Sequence, residues 1–155
     1  MIADAREWLE DTRMVADLFA GLGTFAFGLR EGRKVLAAEA DQAAHLASKS
    51  VVASAGGTVF PIHRDLFRNP LQVDELNRFD GVLLDPPRAG AKMQIAELAN
   101  SECKRVVYMS CNPSSWARDA ATLIEGGYTL KKLRPVGQFR WSTHVELTSL
   151  FVRDD

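Results

Sequence analysis

One cysteine in this chain has the surroundings of a reactive thiol. Cys111 follows an apolar, β-branched stretch at residues 105–109, which predicts a buried strand. Asn112 and Pro113 suit the N-cap and the first position of a helix. Cys111 would then lie at the positive end of the helix dipole, where the pKa of a thiol falls and the thiolate is favoured. We therefore interpret Cys111 as a candidate nucleophile, with a small buried residue at the end of a strand as the alternative.

A carboxylate in a rigid turn is the second chemical group. Asp85 follows a second apolar stretch at residues 81–84 and precedes Pro86 and Pro87. Two prolines have no backbone N–H to donate and fix an extended turn, so the carboxylate would project from the strand end in one orientation. Loops at the carboxyl ends of neighbouring strands are where an open α/β sheet builds its active site.

A glycine loop falls at the first predicted turn from strand to helix. Gly21 and Gly23 would let the backbone pass close to a ligand, because a Cβ at either position would intrude. The loop does not end in the Gly-Lys-Ser/Thr of a phosphate-binding loop, and Ala26 stands where a complete dinucleotide fingerprint has glycine. A tight connection without a ligand is the alternative.

Two further carboxylates point to the ligand of that loop. Glu39, at the end of the second predicted strand, could accept hydrogen bonds from both hydroxyls of a ribose, or could be a solvated residue. Because no phosphate-binding loop accompanies it, an adenosine without phosphates is favoured, and S-adenosylmethionine fits that description. Asp65, just after the third predicted strand, is placed to contact the adenine amino group, although a simple Asx turn explains it nearly as well.

The order of the predicted elements describes the sheet that must hold these groups. Strands alternate with helices until the last two strands, which follow each other directly. This order predicts an α/β, doubly wound, mostly parallel sheet with an antiparallel last strand. The strands are predicted at residues 15–19, 34–40, 58–63, 81–84, 105–109, 128–136 and 145–152. The helices are predicted at residues 2–11, 24–32, 41–54, 73–76, 94–99 and 114–125, with Thr24 and Asp41 as caps.

Composition limits the class of protein. With 155 residues, of which 46% are hydrophobic, we expect a single domain over residues 1–155. Lysine and arginine number 19 against 20 acidic residues, so bulk charge does not indicate polynucleotide binding, although basic residues cluster in the second half. Cys103 and Cys111 make no metal-binding or disulfide spacing, and we expect no metal and no role for Cys103. Without a signal peptide or a long apolar run, the chain is expected to be cytoplasmic, with no membrane contact.

Three ordered motifs resemble those of the RNA uracil-5-methyltransferase family, whose members make 5-methyluridine in transfer or ribosomal RNA. The family's Asp-Pro-Pro-Arg-Ala-Gly run matches residues 85–90, its Ser-Cys-Asn-Pro run matches residues 110–113, and its His-Val-Glu run matches residues 144–146. The glycine loop at residues 17–25 is similar as well. The resemblance spans essentially the whole chain, but the family's RNA-binding TRAM domain is not expected within it.

The resemblance implies a Rossmann-like, class I methyltransferase sheet, and the β-α alternation, the terminal pair of strands and right-handed crossovers predict its strand order as 3-2-1-4-5-7-6. It also implies a mechanism in which the Cys111 thiolate adds to carbon 6 of uracil, carbon 5 takes a methyl group from S-adenosylmethionine, and Glu146 removes the proton from carbon 5. Without the resemblance, Glu146 would be interpreted as an exposed strand residue. The residues expected to bind the cofactor are Phe19, Gly21, Gly23, Thr24, Glu39, Asp65 and Asp85. Arg88 and Asn112 are expected to bind the substrate, a transfer or ribosomal RNA whose binding needs regions absent from this chain.

Two other functions stay open from the sequence. The chain could methylate an amine or a small molecule with Cys111 idle, or it could be a non-catalytic module that binds a protein or RNA. Amino-group methyltransferases place an aromatic residue after Asp/Asn-Pro-Pro to stack on the target base. Arg88 occupies that position here, which counts against an amine.

Overall fold

The computed structural model describes residues 1–52, 56–137 and 145–154. Within them, seven strands form one sheet in the order β3-β2-β1-β4-β5-β7-β6, which confirms the predicted order. Neighbouring strands pair in parallel, except that β7 is antiparallel to both β5 and β6. The strands are β1 Met14–Leu18, β2 Lys34–Glu39, β3 Val59–His63, β4 Gly81–Leu84, β5 Arg105–Ser110, β6 Thr129–Gly137 and β7 Val145–Val152.

Helices cover both faces of the sheet, as the doubly wound pattern predicts. They are α1 Ile2–Trp8, α2 Thr24–Leu29, α3 Gln42–Val52, α4 Val73–Leu76, α5 Lys92–Ala99 and α6 Pro113–Glu125. Side chains of α1 and α2 pack on one face of β1, β2, β4 and β5, and side chains of α4, α5 and α6 pack on the other. The central strands are therefore buried on both sides and hold their carboxyl ends at one fixed edge. In the described part of the chain, no helix has the length and apolar character that a membrane span requires.

The predicted caps of two helices are confirmed. The Asp41 carboxylate accepts a hydrogen bond from the Ala44 N–H at 2.8 Å, at the start of α3. The Asn112 side chain accepts one from the Ser114 N–H at 3.1 Å, and Pro113 is the first residue of α6. The prediction of Thr24 as a cap was wrong, because Gly23 occupies that position with a φ of 85° and Thr24 is already helical.

The ends of some elements differ from the prediction for local reasons. The first helix ends at Trp8 because Leu9 leaves helical geometry and its carbonyl accepts hydrogen bonds from the Arg33 guanidinium at 3.0 and 3.2 Å. The first strand ends at Leu18 because Phe19 has a φ of 64°, in the left-handed region that side chains rarely adopt. Ser54, where the third predicted helix ends, lies outside the described residues.

Candidate active site

A cavity of about 570 Å³ opens at the carboxyl edge of the sheet, beside the ends of β1, β2 and β4. Its walls include two aromatic rings, two prolines and three carboxyl groups, contributed by Phe19, Phe67, Pro86, Pro87, Glu39, Asp41 and Asp85. The volume lies in the range of small-molecule and cofactor sites, which are apolar with a few placed polar groups. The predicted residues Phe19, Glu39 and Asp85 are therefore brought together. Asp65 lies between the lining residues Arg64 and Leu66, but neither Asp65 nor Gly21, Gly23 or Thr24 lines the cavity.

Phe19 contributes an apolar wall from a strained position. Its backbone is left-handed, with a φ of 64°, and such conformations cost about 1–3 kcal/mol and cluster at functional sites. Its ring packs against Phe67, with ring centroids 5.3 Å apart and the planes tilted by 56°. The sequence analysis missed Phe67, although an aromatic residue two positions after a strand-end aspartate was a usable signal.

Glu39 ties the glycine loop to the end of β2. One carboxylate oxygen accepts a hydrogen bond from the Gly21 N–H at 2.7 Å, and the other accepts one from the Asp41 N–H at 2.7 Å. Each oxygen keeps a lone pair, so the same carboxylate can still accept from a ligand hydroxyl. These two bonds fix the carboxylate at the rim of the cavity before any ligand arrives.

Asp65 adopts the Asx turn that was its alternative explanation. Its side chain accepts a hydrogen bond from the Phe67 N–H at 3.0 Å, which shapes the loop that carries the Phe67 ring. A contact from Asp65 to an adenine stays a prediction. Arg64, next to it, lines the cavity but binds both oxygens of Glu75 at 2.7 and 2.8 Å, so its charge is already neutralised.

Asp85 and Glu146 interact through their charges. Asp85 faces the open cavity on one side, while the protein around its other sides reduces its hydration. Burial first, and the negative charge of Glu146 second, raise the pKa of Asp85 to about 6 from an ordinary value of 3.8. A carboxylate from β7 therefore acts on the proline-locked carboxylate that follows β4, although 60 residues separate them in the sequence.

Strand register brings Cys111 towards Glu146. In the antiparallel pair of β5 and β7, Met109 lies opposite Thr148 and Ser110 opposite Leu147. The ladder ends at Ser110, and the same register extended by one residue would set Cys111 across from Glu146. Cys111 is partly exposed, directly before the cap of α6. His144, the first residue of the third family motif, lies outside the described residues.

Asp17 is a buried carboxyl group that the sequence analysis did not assign. It is fully buried on β1, and neither of its oxygens has a hydrogen bond of good geometry. Burial raises its pKa to about 8, the Ala26 N–H partly opposes that rise, and the charges of Asp85 and Glu39 add to it. A polar residue inside an apolar strand, directly before a glycine loop, was the signal that could have found it. Within the described residues, no three His, Cys, Asp or Glu side chains are grouped as a metal ion would require.

Arg88 and Asn112 occupy different environments. The Arg88 side chain is exposed beside the cavity-lining prolines. The Asn112 side chain is engaged at both ends, since its oxygen caps α6 and its Nδ2 donates to the Arg88 carbonyl at 2.9 Å. Arg88 is therefore free to reach a substrate, whereas Asn112 holds the two loops together.

Comparisons with known proteins identify the family of this chain. Residues 62–154 match the model of a family described as tRNA (uracil-5-)-methyltransferase. A protein of Zymomonas mobilis, named as an uncharacterized RNA methyltransferase, is 55% identical over 148 residues, which cover 96% of this chain and 37% of that protein. The 23S rRNA (uracil(1939)-C(5))-methyltransferase RlmD of Pseudomonas fluorescens is 42% identical over 158 residues, which cover 97% of this chain and 35% of that protein.

A solved structure gives the same result for the fold. The crystal structure of Pyrococcus abyssi tRNA (uracil-54, C5)-methyltransferase in complex with S-adenosyl-L-homocysteine superposes with a TM-score of 0.83 at 25% identity. That match covers 97% of this chain and 37% of the Pyrococcus chain. This chain thus spans about a third of the length of the curated relatives that it matches.

Proposed function

The chain belongs to the tRNA (uracil-5-)-methyltransferase family, and we propose that it transfers a methyl group from S-adenosylmethionine to carbon 5 of a uridine in RNA. The observation that carries the proposal is the meeting of three groups at one edge of the sheet. The register of β5 and β7, if extended by one residue, would set Cys111 across from Glu146, and the Glu146 charge raises the pKa of Asp85, which lines the cavity. A nucleophile, a base and a cofactor site are needed together for this reaction.

The residues of the cavity fit S-adenosylmethionine. Aromatic and proline walls suit an adenine, and Glu39 can accept hydrogen bonds from ribose hydroxyls. Three carboxyl groups, those of Glu39, Asp41 and Asp85, line the cavity, and the nearby Arg64 is already paired. This surplus of negative charge favours a cationic ligand, and the cofactor supplies a methyl group on a positively charged sulfur.

The Cys111 thiolate would start the reaction by forming a bond from its sulfur to carbon 6 of uracil. The electrons of the carbon 5–carbon 6 double bond move towards the carbon 4 oxygen and make carbon 5 a nucleophile. After carbon 5 has taken the methyl group, Glu146 removes its remaining proton. The double bond forms again, the sulfur–carbon bond breaks, and the thiolate is regenerated while Glu146 passes its proton to solvent.

The charge of this chain gives little support for RNA binding. Its net charge is −1, whereas RNA binding at physiological salt relies on Lys and Arg contacts to phosphates. We propose that residues 1–155 form one catalytic domain and that RNA binding needs further protein. The exposed Arg88 is the candidate for a contact with the target nucleotide, which has to leave its stack to reach Cys111.

A transfer or ribosomal RNA transcribed with 5-fluorouridine tests the proposal, with the substitutions made in a protein that also carries the RNA-binding regions the proposal requires. Fluorine at carbon 5 cannot be removed as a proton, so the reaction should stop at a covalent complex that survives denaturing electrophoresis. We expect this complex with the wild type and with Cys103→Ala, the matched thiol control, and none with Cys111→Ala. With unmodified RNA, Glu146→Gln should accumulate a methylated covalent complex, because only proton removal is blocked.

The opposite results identify the alternatives. A wild type that binds both S-adenosylmethionine and the RNA but forms no covalent complex would support methylation of an amine or small molecule, or a non-catalytic role. A complex that persists in Cys111→Ala would assign the nucleophile to another residue. Turnover of Glu146→Gln at the wild-type rate would remove Glu146 as the base.

A further inference from the structure

Side chains of α6 hold the turn that follows Asp85. The turn at residues 87–90 is closed by a hydrogen bond from the Gly90 N–H to the Pro87 carbonyl at 2.9 Å. The carbonyls of Arg88 and Ala89 and the N–H of Ala91, directly after the turn, are bound by four side chains, which we call the α6 cluster: Asn112, Ser115, Arg118 and Asp119. The turn carries Arg88 and is joined to Asp85 by two rigid prolines, so the α6 cluster also fixes the position of that carboxylate.

Two members of the cluster share one acceptor. The Asn112 Nδ2 and the Ser115 hydroxyl both donate to the Arg88 carbonyl, each at 2.9 Å. Ser115 is buried, and Asn112 directly follows Cys111 in the chain. The Arg88 backbone is therefore bound to the residue next to the nucleophile.

The other two members hold the far side of the turn. Asp119 is 1% exposed and accepts hydrogen bonds from the Ala91 N–H at 2.8 Å and the Tyr108 hydroxyl at 2.7 Å. Arg118 binds the other oxygen of Asp119 and donates to the Ala89 carbonyl at 3.0 Å. Burial and the adjacent Asp119 carboxylate raise the pKa of Tyr108, so its hydroxyl keeps its proton and stays a donor.

The fit between the turn and α6 leaves no free space. Gly90 has a φ of 78°, and a Cβ there would lie 2.6 Å from both the Arg118 guanidinium and the Asp119 carboxylate. Movement of the turn away from the helix would break its hydrogen bonds to the cluster, two of whose members, Ser115 and Asp119, are buried.

We propose that Asn112 and Ser115 are positioning residues, which set the Asp85–Arg88 segment at a fixed distance from Cys111. This inference rests on the proposed function, and it adds residues that act through the Arg88 carbonyl rather than by touching the substrate. Methyl transfer needs the methyl donor beside Asp85 and the uracil held by Cys111 in near-contact geometry. A misplacement of about 1 Å can lower such a rate about 100-fold.

The test is the double variant Asn112→Ser/Ser115→Ala. Serine caps helices as well as asparagine does but is too short to reach Arg88, and alanine removes the second donor without adding bulk. Ser114→Ala is the matched control, since Ser114 is the exposed neighbour of Ser115. Ser115→Ala alone is the milder variant if the double variant does not fold. Ser115→Thr keeps a hydroxyl, so it should have the methylation rate that Ser115→Ala loses.

We expect two results with the protein and its RNA. Hydrogen exchange at the Gly90 and Ala91 amides should accelerate in the double variant while the protein stays folded, and S-adenosylmethionine affinity is measured so that rates are compared at saturating cofactor. The single-turnover methylation rate at saturating cofactor should fall about 10- to 100-fold, with wild-type behaviour in Ser114→Ala. Unchanged exchange, or faster exchange with an unchanged rate, would overturn the positioning role. A wild type without a covalent 5-fluorouridine complex would instead overturn the proposed function, and the exchange data would still decide whether the α6 cluster holds the turn.

Discussion

One substitution can separate the effect of the Glu146 charge on the pKa of Asp85 from the effect of burial. Glu146→Gln keeps the shape of the side chain and removes its negative charge. In the wild type, burial and Glu146 are the two causes that raise the pKa of Asp85 to about 6, and burial is the larger. We therefore expect the pKa of Asp85 to fall in the variant but to stay above its ordinary value of 3.8.

The size of the fall follows from the order of the two causes. The rise from 3.8 to about 6 is shared, with Glu146 responsible for less than half of it, so the variant's pKa should lie between about 5 and 6. Asp85 in the wild type is half protonated near pH 6 and almost fully ionised at pH 8. If the ionised form binds the positively charged cofactor, affinity should decrease as the pH falls through about 6. In Glu146→Gln, the same decrease should occur at a lower pH.

Two measurements follow this change. Carbon-13 NMR of labelled aspartate carboxyl groups gives the pKa of Asp85 directly, with Asp85→Asn to assign the signal. Calorimetry with S-adenosylmethionine between pH 5 and pH 8 gives the affinity profile, and Glu125→Gln, on the exposed end of α6, is the control for loss of one negative charge. An unchanged pKa would show that Glu146 does not lie near Asp85, and a pKa at or below 3.8 would refute burial as the main cause.

Two further substitutions test the cofactor pocket and the buried carboxyl group. Glu39→Ala should weaken S-adenosylmethionine binding about 10- to 100-fold in calorimetry, because a charge-assisted hydrogen bond worth about 1.5–3 kcal/mol is lost. Equal affinities would exclude Glu39 from the site. Asp17 has a folded pKa of about 8 against 3.8, so its contribution to stability is full below pH 3.8 and is lost as the pH rises through 8. In urea unfolding at pH 9, Asp17→Asn should therefore be more stable than the wild type, and the difference in free energy of unfolding has an upper limit of about 6 kcal/mol. The difference should be smaller at pH 5. A difference that does not depend on pH would contradict burial as the cause.

The fold could be predicted from the sequence because its information is local. Apolar β-branched runs and the glycines between them mark each strand and turn, and the paired strands at the end of the chain fix the antiparallel edge. The errors came where backbone conformation depends on tertiary contacts. Gly23 took the cap position from Thr24 because its left-handed φ lets the loop approach α2, where a Cβ would lie 2.9 Å from the Phe27 ring.

The candidate site was predictable only in its separate parts. Nearby residues specify that Asn112 caps a helix. They also specify that Asp85 directly follows β4, a strand that is buried on both faces. The approach of Cys111 to Glu146 depends on the register of β5 and β7, which are 34 residues apart at their nearest ends, and no local pattern specifies it. The contacts of α6 with the turn after Asp85 are equally non-local, so the sequence assigned Asn112 to the substrate and did not predict its bond to the Arg88 carbonyl.

The concentration of carboxyl groups at the site connects its electrostatics with the proposed reaction. The charges of Glu39 and Asp85 raise the pKa of the nearby Asp17. In the same way, the charge of Glu146 raises the pKa of Asp85. A cation bound among them would lower the pKa of both aspartates, since an opposite charge favours the ionised form. S-adenosylmethionine carries one more positive charge than the product of methyl transfer, S-adenosylhomocysteine. The same carboxylates that attract the methyl donor would therefore hold the spent product less strongly, and the loss of the sulfonium charge would itself favour product release.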